Sequence, residues 1–154
     1  MPLTRFLWVW IQHKIFVMQA GFKLGVPWYR LMAHDWSKVS WAEWPHYARR
    51  FYGDGDDSAG FLQCWVHHQN CNPHHWQWWI DRSTGQPIPM PMDYVREMVA
   101  DWLAAGRAYE GRWPDLDNWT WLEEHWNTML LHPTTRKRVE HVVKELKGQN
   151  RGEA

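Results

Sequence analysis

Residues 93–106 read DYVREMVADWLAAG, and this stretch decides the fold. Its apolar residues come as Tyr94-Val95, Met98-Val99 and Trp102-Leu103, pairs that recur with the period of an amphipathic helix. Glu97 and Asp101 are four residues apart and share one face of that helix. Met98, Val99, Trp102 and Leu103 flank them, so burying both carboxylates is costly unless a cation or hydrogen-bond donors meet them. The central helix of this chain thus carries chemistry on an apolar face.

Working outward, the same period recurs on both sides. A first helix is expected over Thr4–Lys23, with Thr4 as N-cap, punctuated by Gly25 and Pro27. A short helix over Trp28–His34 follows. Ser40-Trp41-Ala42-Glu43 has the form of a capping box, which predicts a helix from Trp41 to Tyr52. Gly53–Ser58 reads as a loop whose alternating acids do not fit a calcium-binding EF-hand. A helix over Ala59–Gln69 is broken at Asn72-Pro73. Asp81–Met92 holds Gly85, Pro87, Pro89 and Pro91 and reads as a loop or a short extended flap. Beyond the central helix, a connecting loop holds Gly111, Pro114 and Asp117. Helices over Asn118–Met129 and Pro133–Lys147 complete an all-α reading, and there is little strand signal.

The 154 residues suit one domain with one core. Seventeen basic residues balance seventeen acidic ones, which gives no general nucleic-acid or membrane-surface signal. The apolar run Phe6–Met18 is too short for a membrane span, which needs about 20 apolar residues. Two cysteines, Cys64 and Cys71, do not make a disulfide framework and fit a reducing cytoplasm. Fifteen tryptophans are read mostly as core.

The chemistry lies in the order of the ligand-type residues. His13 sits mid-helix among apolar neighbours, and His34-Asp35 closes the short second helix. His67-His68, then Asn72-Pro73-His74-His75, place four imidazoles in nine residues, enough to supply several nitrogen ligands to a transition metal. Asp101 follows on the central helix. In each histidine pair one residue is expected to be a ligand and the other to pack or to support it. His46, His125 and His141 read as packing or surface residues, and His132 as ordering the helix start at Pro133.

This order, His … His-Asp … His … His … Asp, resembles the HD-domain superfamily of metal-dependent phosphohydrolases. The resemblance implies an HD-like helical bundle; from the chain itself, a single metal-binding domain is expected over residues 1–148, with a flexible tail at 149–154. The resemblance also implies one or two divalent transition-metal ions, with Mn, Fe, Zn, Co and Ni not distinguished. His13, His34, Asp35 and Asp101 would hold the first ion and Asp35 would bridge. One of His67 or His68 and one of His74 or His75 would complete the second. A closer likeness rests on the strings HDxSKxS (residues 34–40) and HHxxxNxHH (residues 67–75), with Glu97, Asp101 and the Leu131-His132-Pro133-x-Thr135 string. On these the chain resembles a family of phage and bacterial proteins of unknown function, which brings no activity with it.

The expected function is hydrolysis of a nucleotide or nucleotide-like phosphoester, since a divalent cation lowers the pKa of bound water toward neutrality. Lys38 is placed to neutralise a phosphate. Glu97 is read as a general base, a partner that supports a ligand, or a further ligand; Ser37 donates to a phosphate or caps the turn, and Asn72 is a substrate contact. The expected partner is a small-molecule substrate, with a homo-oligomer open. The expected location is the cytoplasm, the host's if the chain is phage-encoded. Two alternatives stand beside hydrolysis. One is an HD-type di-iron oxygenase; the other is a non-catalytic module in which metal serves structure alone.

Overall fold

Val17 and Ala20 on one helix, with Leu24 just past its end, face Val95, Met98, Val99 and Leu103 on another, and all seven are buried. This apolar seam sets the frame of the molecule. A computed structural model describes residues 2–53 and 57–152. The two helices of the seam are α1 (Pro2–Lys23) and α5 (Met92–Glu110), packed along much of their length. Around them lie α2 (Trp28–Ala33), α3 (Trp44–Tyr52), α4 (Ser58–Cys71), α6 (Thr120–Trp126) and α7 (Pro133–Gly152). Short 3-10 turns cover Trp36–Val39 and Trp76–Trp79. α7 covers α5 from one side, whereas α3 packs on α1 and α4 packs on α3. The all-α, single-domain reading holds. The one β-type pairing among the described residues is the antiparallel bridge of Ile80 with Pro87, within the segment expected to be a flap.

Several boundaries differ from the sequence reading, each for a local reason. α5 runs past Gly106, whose missing side chain leaves room for Pro114; a Cβ there would stand 2.7 Å from the proline Cγ. The helix ends instead at Gly111, in the left-handed region at φ 76°, the usual C-terminal glycine stop. The capping box at Ser40 does not form. α3 begins only at Trp44, the preceding turn has no side-chain cap, and the Glu43 carboxylate faces inward instead. α7 continues to Gly152, into the stretch expected to be a flexible tail. Of the Gly53–Ser58 loop, Asp54–Asp56 lie outside the described residues.

The tryptophans also correct the reading. Only Trp119 is buried, while seven are half-buried and seven are exposed. The larger buried cluster is mainly Val, Ala, Leu and Met, with Trp119, and a smaller one holds Phe6, Tyr47, Ala48 and Cys64. Half-buried indoles border both, Trp76, Trp79, Trp102 and Trp126 on the first and Trp44 and Trp65 on the second, as suits a large side chain with a polar edge.

The C-terminal motif explains itself structurally. The His132 Nδ1 accepts from the Thr134 backbone N–H at 3.1 Å, Pro133 opens α7, and the Thr135 hydroxyl accepts from the Met90 N–H at 3.0 Å. This fixes the extended segment before α5. No described helix is long and apolar enough to cross a membrane.

Candidate metal centre

The site forms where the apolar seam is interrupted by polar groups. α1 contributes His13, and α5 contributes Glu97 and Asp101. His34 and Asp35 sit at the junction of α2 with the first 3-10 turn, where Asp35 adopts φ 57° and ψ 23°. No other described non-glycine residue has a positive φ. The Trp10 indole donates to the Asp35 carbonyl (3.3 Å), and Lys14 donates to the His34 carbonyl (2.8 Å), so α1 holds this corner as well as lining it. α4 contributes His68. The chain then leaves the helix at Asn72-Pro73 and doubles back, with His75 N–H bonded to the Asn72 carbonyl. The seven-residue spacing from His68 to His75 therefore brings the two rings together through a reversal, with Nε2 atoms 2.8 Å apart, and not along a continuous helix.

Two ligand sets meet at Asp35. On its Oδ2 side, His13 Nε2 lies at 3.6 Å and His34 Nε2 at 3.5 Å. The same two nitrogens lie 2.9 and 3.4 Å from Asp101 Oδ1. On the Oδ1 side, His68 Nε2 and His74 Nε2 each lie at 3.3 Å, and His75 completes the group. His13, His34, Asp35, His68, His74 and Asp101 are all buried. One carboxylate thus faces one histidine set with each oxygen.

These residues fit a cation. His13 Nε2, His34 Nε2, His74 Nε2 and Asp35 Oδ1 are buried without a hydrogen-bond partner, an arrangement costly in a bare cavity. The close approach of His13 Nε2 to Asp101 Oδ1 does not have hydrogen-bond geometry. Donor separations near 3 to 3.5 Å are those of ligands held about 2.0–2.2 Å from a common ion.

The other ring nitrogens are held by carboxylates outside the two sets. Glu97 Oε1 faces His34 Nδ1 (3.1 Å) and His74 Nδ1 (3.3 Å), while its Oε2 accepts from Arg30 at 2.7 and 3.0 Å. Glu43 Oε2 accepts from His68 Nδ1 at 2.9 Å and Oε1 from His67 Nδ1 at 2.7 Å. Such carboxylate–imidazole contacts fix the tautomer and leave the Nε2 atoms of His34, His68 and His74 turned toward Asp35.

The expected site residues meet these partners. Glu97, read as general base, supporting partner or further ligand, has both oxygens engaged, by His34 and His74 and by Arg30. Ser37 and Asn72, expected at the substrate, serve His68. Asn72 Nδ2 donates to Ser37 Oγ and to the His68 carbonyl, both at 2.8 Å, and Ser37 Oγ lies 3.1 Å from His68 Nδ1. Of the first histidine pair, His68 enters the centre and His67 stays outside; of the second, both His74 and His75 enter. Lys38 Nζ donates to Asp35 Oδ2 at 2.6 Å. Glu43 is the residue the sequence reading missed. Its S-x-x-E context suggested a helix cap, and nothing local reports a partner 24 or 25 positions further on.

The electrostatics follow from this packing. Burial disfavours the charged forms of Asp35 and Asp101, but the neighbouring histidines outweigh it and hold both well below the usual carboxylate range. Burial likewise opposes protonation of His34, and Asp35, Asp101 and Glu97 outweigh it, raising that ring to about 10. Burial prevails at His13, His68 and His75, which are lowered. Lys38 is raised: burial works against its charge, and Asp35 more than restores it.

A narrow cleft of about 40 Å³ reaches the centre, lined by His13, Lys38 and the aromatic side chains of Phe6, Trp10, Tyr47, Phe51, Tyr52 and Tyr109. A wider groove of about 570 Å³ between α6 and α7 has no histidine, cysteine or aspartate in its lining and is remote from this chemistry.

Among families of known proteins, one described as a family of unknown function (DUF5662) has a model that matches residues 6–145. No curated protein and no solved structure is matched.

Proposed function

The chain belongs to this family of unknown function, DUF5662, and from that premise we propose that it is a metal-dependent phosphohydrolase acting on a nucleotide or nucleotide-like phosphoester. The carrying observation is the Asp35 carboxylate, with His13, His34 and Asp101 on one side and His68, His74 and His75 on the other. This is the donor set of a two-ion centre, and its order along the chain is that of the HD-type enzymes. Bound there, divalent ions would supply a water of lowered pKa and polarise a phosphoryl oxygen.

The chain's own residues do the rest. Lys38, on the cleft wall beside Asp35, balances the charge of an entering phosphoryl group. Glu97 and Glu43 hold the imidazoles in register, and Arg30 keeps Glu97 from turning away. The narrow cleft takes the phosphoryl end of a substrate. Phe51 and Tyr109, both exposed at its mouth, offer ring faces on which a base stacks.

One observation favours a second reading. The Oδ1 side of Asp35 is all imidazole, a donor set that also suits iron. Oxygen chemistry at a di-iron centre is the alternative it supports.

Elemental analysis of anaerobically purified protein, joined to a phosphate-release screen over nucleotides and simple phosphoesters, tests the proposal. The expected result is one or two transition-metal ions held by the Asp35 centre of each chain and metal-dependent phosphate release that Lys38→Ala lowers at least tenfold (about 1.4 kcal/mol) with the metal retained. Failure to bind any transition metal overturns it. Stoichiometric iron with oxygen uptake and no phosphate release replaces it with the second reading. Metal without turnover, joined to unfolding on chelation, replaces it with a structural metal module.

A further inference from the structure

We propose that His67 and Cys71 form a separate, peripheral site for a thiophilic cation such as zinc, oriented by Glu43. The two residues stand four apart on the last turn of α4 and so share one face of that helix. Both are exposed, outside the buried centre. Cys71 Sγ lies 3.6 Å from His67 Nε2. Sγ also lies 3.7 Å from Nδ1, beside the ring, and a turn of the exposed Cys71 side chain brings it to the Nε2 side, where ligands at about 2.3 Å (sulfur) and 2.0–2.1 Å (nitrogen) from one tetrahedral ion stand about 3.5 Å apart. Glu43 Oε1 accepts from His67 Nδ1 at 2.7 Å, which leaves the Nε2 lone pair open for a metal. The three residues group within ligand distance of one another. On binding, the Cys71 thiol gives its proton to solvent and the thiolate takes the ion; water completes the coordination.

This site differs in kind from the centre. The candidate ligands around Asp35 are nitrogen and oxygen only, whereas the outer pair offers sulfur, which selects softer ions. The two are joined by one carboxylate, since Glu43 holds His67 with Oε1 and His68 with Oε2. The inference does not depend on the phosphoester reading.

Cobalt(II) titration of the full chain, kept reduced with a phosphine, separates the two sites optically. Only a sulfur ligand gives a thiolate-to-cobalt charge-transfer band in the near ultraviolet, and the centre has none. The band is expected in the native chain and in Cys64→Ser, absent in Cys71→Ser, and at least about tenfold weaker in cobalt affinity in His67→Ala. Zinc is expected to bleach it. Because Cys71 and His67 are exposed, both variants should keep the native circular dichroism, which is checked alongside. No band at saturating cobalt, or a band that survives in Cys71→Ser, overturns the proposal whether or not the centre binds metal.

Discussion

Asp35 is held in a left-handed backbone conformation that costs most L-residues roughly 1–2 kcal/mol and that aspartate tolerates better than most. The turn aims its two carboxylate oxygens at different histidine sets. Which histidines join it is a matter of single positions. His67 and His68 are neighbours in sequence but point about 100° apart around α4. We therefore expect His68→Ala to remove one ion from the centre and His67→Ala to leave the central stoichiometry intact, as measured by elemental analysis after gel filtration with both changes made in a Cys71→Ser background, so that only the centre is counted. Glu43→Gln should weaken metal affinity about 10- to 100-fold without removing a ligand, as loss of an outer carboxylate does. A competition titration against a metal indicator reads this directly.

At the scale of elements, the corner that presents His34 and Asp35 depends on close packing between α1 and α2. A Cβ on Gly21 would stand 2.3 Å from the Leu31 side chain, which is itself buried. Gly21→Ala should therefore cost about 1–3 kcal/mol through overpacking, read by denaturant unfolding. The same displacement should loosen the metal site, because α2 delivers His34. Helices themselves were legible in the sequence. The Tyr94–Leu103 period placed α5, and Pro73 marked the break at which His74 and His75 turn back toward His68, whereas His34-Asp35 turn inward at the end of α2 opposite Pro27. Helix starts were less legible. Ser40 and Glu43 matched a local capping pattern, but the buried Glu43 carboxylate has two imidazoles to satisfy, and that long-range demand overrides the cap.

For the whole molecule, the centre makes stability depend on metal and on pH together. Without metal, Asp35, Asp101 and Glu97 have folded pKa values below their unfolded ones, so their contribution is present above about pH 4 and is lost as pH falls below it. His13, His68 and His75 are lowered, so their contribution fades as pH falls from about 6.5. His34 has the opposite sign. Raised to about 10, it stabilises fully below its unfolded value and loses that contribution as pH rises through about 10. The Tm of chelator-treated protein should therefore fall on both the acid and the alkaline side. With metal bound, His34 is a neutral ligand and the alkaline loss should disappear, while the Tm rises at neutral pH. Thermal melts across pH with and without chelator check this.

By itself the sequence determined the helical class, the central helix with Glu97 and Asp101 on one face, and the order of histidines and aspartates that meet at Asp35. Those are properties of short-range spacing, which a helix converts directly into shared faces. Only the tertiary structure decided that His68 and not His67 enters the centre, and that both His74 and His75 do. It also decided that Glu97, Glu43, Ser37 and Asn72 support imidazoles, and that the tryptophans ring the core without filling it. Each of these depends on which face of one element meets another across twenty or more residues, and on buried polar groups finding partners that no local pattern records.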